Sequence, residues 1–140
     1  MTIVWGAFTA GLDAGLIYPT WPLMGGRLVP AEAWDMAPVW INLFENHAAV
    51  QFAHRWLAVA TALAILALGW RAWREYGLGP RGRGLGLALV AAALAQVSLG
   101  IGTLQSGIAI GLAAAHQAGA LVVLTLLAWF LHEVRPPRAG

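Results

Sequence analysis

Apolar residues fall into four runs along this chain, and the polar residues gather between them. The longest run, 84–132, contains no Asp, Glu, Lys or Arg. A membrane-crossing helix needs about 20 mostly apolar residues, so this stretch holds two helices and a turn. Gln105, Ser106, Gly107 and Gly111 supply the turn, which predicts spans at 85–104 and 108–131. A further span is predicted at 48–73. It is separated from the next by Arg71, Arg74, Arg81 and Arg83, with Gly77, Gly79, Pro80 and Gly82 as helix breakers. The first apolar run, 2–12, is too short to cross: about 11 helical residues at 1.5 Å each cover only half of a hydrocarbon core of ~30 Å. It reads as a helix caught partway. Between it and the second run lies a polar segment, 13–45, rich in Gly, Pro and Trp, which suits a loop lying at the membrane surface; its last part, 39–46, reads as a short interfacial helix. The expected fold is an all-α integral membrane protein: a four-helix transmembrane bundle with three full spans and a truncated first helix, in one domain over 1–140.

Composition sharpens this picture. Hydrophobic residues make up 60% of the chain and charged residues 10%, against roughly 25% charged in a typical soluble domain, which excludes a soluble fold. The absence of cysteine excludes disulfides, thiolate zinc sites, iron–sulfur clusters and a cysteine nucleophile. The net charge of +2 rests on arginine alone, and no recognition motif points to nucleic acid as a partner. The positive-inside rule instead puts the 71–83 loop, and the tail with Arg135 and Arg138, in the cytoplasm or matrix. The 13–45 segment and the 105–111 hairpin then face outward. Trp21, Trp34, Trp40 and Trp56 form the outer aromatic belt, and Trp70, Trp73 and Trp129 the inner one. The expected location is a bacterial inner membrane or the mitochondrial inner membrane, with membrane lipid as the surrounding partner.

Two histidines stand inside the spans. His54 lies about 6 residues into the second and His116 about 8 into the fourth, and both helices run inward, so at ~1.5 Å per residue the imidazoles reach similar depths. Ionisable residues within spans are costly and by default functional, and no acidic partner stands at a comparable depth in the third and fourth spans. Two facing imidazoles can be the axial ligands of one haem iron. Helix packing, a proton relay or another metal also accommodates them. Ala58 and Ala62 after His54, and Gly119 and Ala120 after His116, would let a flat macrocycle approach the backbone.

Neighbouring polar residues carry weaker expectations. Arg55 can pair with a haem propionate or snorkel to the outer surface. Gln51, one turn before His54, can hydrogen-bond a cofactor edge or a neighbouring helix. Ser98, Gly102 and Ser106 repeat at i+4 as a close-packing stripe. His47 and His132 sit at the interfaces and are not expected to be ligands. A short internal echo links Gly6-Ala7-Phe8-Thr9 to Gly100-Ile101-Gly102-Thr103, each followed by a helix bearing Ala-His, at 53–54 and 115–116.

Longer motifs carry a resemblance. Gly11-Leu12-Asp13-Ala14-Gly15-Leu16, Trp21-Pro22-Leu23-Met24, Asn42-Leu43-Phe44-Glu45-Asn46, Val50-Gln51-Phe52-Ala53-His54-Arg55, Gln96-Val97-Ser98-Leu99-Gly100-Ile101-Gly102-Thr103-Leu104 and His116-Gln117-Ala118-Gly119 occur in order. Together they resemble the C-terminal half of a haem A synthase of the mitochondrial and alphaproteobacterial type, over nearly the whole chain. The resemblance implies an oxidoreductase of two four-helix halves that oxidises a methyl group of haem O to the formyl group of haem A for cytochrome oxidase. It implies that His54 and His116 hold a haem b that relays electrons, while haem O is the substrate of the N-terminal half. Gln51 stands where N-terminal halves carry a glutamate, which implies a cofactor-holding rather than a substrate site. The implied partners are that N-terminal half, a haem O synthase and an electron donor. The chain is expected to be a fragment or one part of a split enzyme, inactive alone. The alternative is a stand-alone b-type membrane cytochrome.

Overall fold

The computed structural model describes residues 1–75 and 78–135 and is helical throughout its ordered elements: α1 (Thr2–Gly11), α2 (Asn42–Glu45), α3 (His47–Arg74), α4 (Pro80–Gln105) and α5 (Ile110–Glu133), with 3-10 turns at Ala14–Leu16 and Val39–Ile41. Gly77 and Arg138 lie outside the described residues. Three helices, α3, α4 and α5, are long and apolar enough to cross a membrane, and α1 is a shorter apolar helix. This is the expected helical membrane bundle.

Two helix ends differ from the sequence pattern. Pro80 and Gly82 do not break a helix; they begin one. Pro80 takes the first position of α4, where its missing N–H costs nothing and its fixed φ suits a helix, so Arg81 and Arg83 belong to the first turn. Gly111 lies within α5, and the hairpin closes in residues 106–109 instead. There Gly107 and Ile108 both adopt positive φ, 67° and 64°. For a β-branched residue this conformation is strained. Ile108 uses it to set its side chain against Gly15 in the outer segment, where even a methyl group would fall 2.9 Å from its Cδ1.

A second left-handed residue echoes this turn. Asp13, two residues past the end of α1, has φ 51°, as Gly107 stands two residues past the end of α4. A left-handed residue thus stands two positions past the end of both α1 and α4.

Ala14, Met24, Ala33, Ala48, Ala49 and Val50 are buried near the start of α3, and two further apolar clusters lie deeper in the bundle, toward its arginine-rich end. Ile65, Leu89 and Ala93 form one buried cluster, with Leu68, Val90, Val123, Leu126 and Leu127 around it. Ala72, Leu85 and Phe130 form another, nearer the inner end. Close approach there needs small residues: a side chain on Gly69 would strike Val90, and one on Gly86 would meet Ala72 and Phe130. The expected stripe of Ser98, Gly102 and Ser106 does not make this contact. Ser98 and Ser106 are exposed, and their hydroxyls donate back to the carbonyls of Leu94 and Thr103. A serine can satisfy its hydroxyl within its own helix, so it needs no facing partner.

At the inner end Arg81 pairs with Glu133 at 3.3 Å and lies over Trp129, while Arg74 lies over Trp70. Trp70, Trp73 and Trp129 are all exposed, as are Trp34, Trp40 and Trp56 toward the other end.

Candidate functional site

The start of α3 is fixed by its cap. The Asn46 side-chain oxygen accepts from the N–H groups of Ala48 and Ala49, and its amide donates to the Glu32 carbonyl and to Asn42 Oδ1. From this start His54 is the eighth residue of α3, and His116 is the seventh of α5. The two rings therefore stand at about the same depth along their helices, above the cluster of Ile65, Leu89 and Ala93. His47 and His132 lie exposed near the two ends of the chain's long helices, away from this depth.

Each ring rests on a glycine of the neighbouring helix. A Cβ on Gly6 would fall 3.0 Å from His54 Cε1, and one on Gly100 would fall 2.8 Å from His116 Cε1. The internal echo in the sequence is thus a repeat in space: α1 cradles the histidine of α3, and α4 cradles that of α5. Sequence reasoning noted the echo without seeing what the glycines touch.

The ring nitrogens differ between the pairs. His54 Nδ1 lies 3.3 Å from the Thr2 carbonyl. A carbonyl only accepts, so the proton sits on Nδ1 and the lone pair on Nε2, which is the nitrogen left for a ligand. His116 Nδ1 is buried and has no partner. Gly119 does not offer open space beside it, as the small-residue pattern had suggested. The Gln96 side chain fills that space, its Oε1 standing where a Cβ would fall, and its Nε2 donates to the His116 carbonyl at 2.7 Å.

Gln51 and Arg55 face another way. Gln51 Nε2 donates to the carbonyls of Gly15 and Tyr18, each at 3.2 Å. Arg55 donates from Nη1 to the Thr20 carbonyl at 2.7 Å and from Nη2 to the Tyr18 carbonyl at 2.5 Å. It does not snorkel: only 8% of Arg55 is exposed, with Trp21 packed near the guanidinium. One turn apart on α3, the two side chains clamp the outer segment over the helix end. A small apolar cleft of about 210 Å³ remains between Arg55, Trp56 and Val59 on α3 and Trp21, Pro22 and Met24 of that segment. The segment is further tied by the Tyr18 hydroxyl, which donates to Glu32. That bond holds the Glu32 carboxyl below its ordinary range and the Tyr18 phenol above its own.

No group of three or more His, Cys, Asp or Glu side chains that could hold a metal ion occurs among the described residues. Two imidazoles alone suit an iron whose remaining positions are filled by a macrocycle. The residues present fit such a group: one ring has its proton on Nδ1 and its lone pair on Nε2, the other has a buried Nδ1 with no partner, and both lie on glycine cradles at about the same depth.

The model of one family, described as cytochrome oxidase assembly protein, matches residues 1–128. The chain belongs to the cytochrome oxidase assembly protein family. Similar members of the family include the haem A synthase of Rhodospirillum centenum, 63% identical over 137 residues that make up 98% of this chain and 36% of that protein. The haem A synthase of Arabidopsis thaliana is 41% identical over 98% of this chain and 30% of its own length, and that of Bos taurus 40% identical over 96% and 32%. The chain therefore spans about a third of the length of these curated members of the family. No solved structure matches it. The three apolar helices and the family together make it an integral membrane protein.

Proposed function

We propose that this chain is the C-terminal, haem b-binding half of a haem A synthase, with His54 and His116 as the two axial ligands. The observation that carries the reading is the pair of glycine-cradled histidines at about the same depth. The names of the relatives support the wider activity, haem A synthesis, which on this reading is the oxidation of a methyl group of haem O to the formyl group of haem A. On this reading haem O binds in the N-terminal half, which is a partner of this chain along with a haem O synthase and an electron donor. When bound here, haem b would supply reversible one-electron chemistry, tuned by its axial ligands, their hydrogen bonds and burial.

The chain's own residues prepare the site. The Thr2 carbonyl holds the proton of His54 on Nδ1 and leaves Nε2 as the donor. Gly6 and Gly100 let the rings lie against the backbone and limit their rotation. Gln51 and Arg55 belong to the site as the residues that fasten the outer segment above it. The arginine-rich inner end faces the cytoplasm or matrix.

A reduced-minus-oxidised absorption spectrum of the detergent-purified chain, beside His54→Ala and His116→Ala, tests the reading. A sharp low-spin b-type signal is expected in the parent and in neither variant. A variant that kept a normal signal would remove that histidine as a ligand.

A further inference from the structure

The two helix pairs place different residues at one structural position. Thr2 stands four residues before the cradle Gly6, and Gln96 stands four before Gly100. Both reach across to the helix that bears the histidine. The Thr2 hydroxyl donates to the carbonyl of Leu57, three residues past His54, and is shared with the Thr61 hydroxyl at 2.7 Å. The Gln96 amide donates to the His116 carbonyl and packs against Gly119, three residues past His116. Thr2 also gives its backbone carbonyl to His54 Nδ1. In the second pair the matching nitrogen, His116 Nδ1, is buried and unpartnered, and so is Gln96 Oε1.

We propose that Gln96 is the positioning residue of His116. The inference rests on the two-histidine haem reading. An imidazole that binds iron through Nε2 carries its proton on Nδ1 and needs an acceptor for it, and a stronger acceptor makes the ring a better electron donor to the iron. Gln96 offers two acceptors one turn from Gly100, its backbone carbonyl in the place Thr2 occupies and its own Oε1. Its amide nitrogen meanwhile holds α5 at the His116 carbonyl, which sets how the ring meets them. Gly119 is part of the same arrangement, because any side chain there displaces Oε1. Gln96 does not touch the iron; it acts through His116.

The test is a redox titration and ferric electron paramagnetic resonance spectrum of the purified chain, its Gln96→Met variant and its Gly119→Ala variant. The parent is read first: without low-spin haem there, the haem reading itself fails and takes the inference with it. With haem in the parent, only the inference is at stake. Both variants are expected to keep a low-spin signal, with the midpoint potential shifted upward and altered g-values, because removing or displacing Gln96 Oε1 takes away an acceptor that the Nδ1 proton of the iron-bound ring needs and leaves the ferric iron less stabilised. Where Gln96→Met does not assemble, Gly119→Ala carries the test. An unchanged potential and unchanged g-values in the variants that bind haem would overturn the proposal.

Discussion

The two helix pairs solve one problem by different means. Both bring a histidine against a glycine of a neighbouring helix, at about the same depth. In the second pair α4 and α5 are long helices whose contact continues down into the core through Leu89, Ala93, Val123 and Leu127. In the first pair α1 is only ten residues long and has no buried residue, so helix packing alone holds it weakly. There the outer segment makes up the difference. Gln51 and Arg55 tie it to α3, and Trp5 and Phe8 of α1 pack against Phe44 of α2 at centroid distances of 6.2 and 5.8 Å. A histidine can thus be oriented either by a continuous helix interface or by a loop fastened with polar side chains.

Breaking the fastening should separate the two pairs most clearly. Arg55→Leu removes two charge-assisted bonds, leaving the Thr20 carbonyl without its side-chain donor and the Tyr18 carbonyl with Gln51 alone, at an expected cost of about 3 kcal/mol. Thermal unfolding in detergent should show the loss, and proteolysis should cut within residues 15–23 of the variant before it cuts the 106–109 hairpin. Equal protection of both turns would show that the segment is held by something other than Arg55.

Filling the cradles tests the comparison from the other side. Gly100→Ala places a methyl group 2.8 Å from His116 against two long, packed helices, so something must shift, at about 2 kcal/mol. Gly6→Ala places one 3.0 Å from His54, where the short α1 can yield, at about half that. The larger fall in melting temperature is expected for Gly100→Ala. The reverse order would mean that α1 is the more rigid wall.

The smallest effect concerns acid. The Glu32 carboxyl titrates below its ordinary value near 4.5 because Tyr18 donates to it. A group with a depressed folded value contributes its stability at neutral pH and loses it as pH falls through that value. Glu32 is exposed and the contribution is small, so the expected change is a slight loosening of the outer segment below about pH 4.5, absent in Glu32→Gln. Tyrosine and tryptophan fluorescence against pH would show it; an identical curve in the variant would assign the change to another group.

Much of this arrangement could be read from the sequence, for identifiable reasons. The spans follow from hydropathy alone, since few other structures absorb a 49-residue stretch free of charge. The shared depth of His54 and His116 follows from counting along helices that run the same way. What the sequence concealed was the destination of the polar side chains. Gln51 and Arg55 bond to backbone carbonyls of Gly15, Tyr18 and Thr20, and every residue has a carbonyl, so no motif marks the acceptor. Gly119 looked like room for a cofactor because its neighbour across the interface, Gln96, is distant in the chain. Pro80 looked like a break because a proline stops a helix everywhere except at its first turn.

The cap at Asn46 acts on the site as a ruler does on a drawing. It anchors the zero mark of α3 to the outer segment through Glu32 and Asn42, so the depth of His54 is a fixed number of helical steps from a fixed origin. One residue inserted between the two would move the imidazole by about 1.5 Å along the helix and turn it by about 100° around it, off Gly6 altogether. The length of those first two turns is therefore as much a property of the site as the histidine itself.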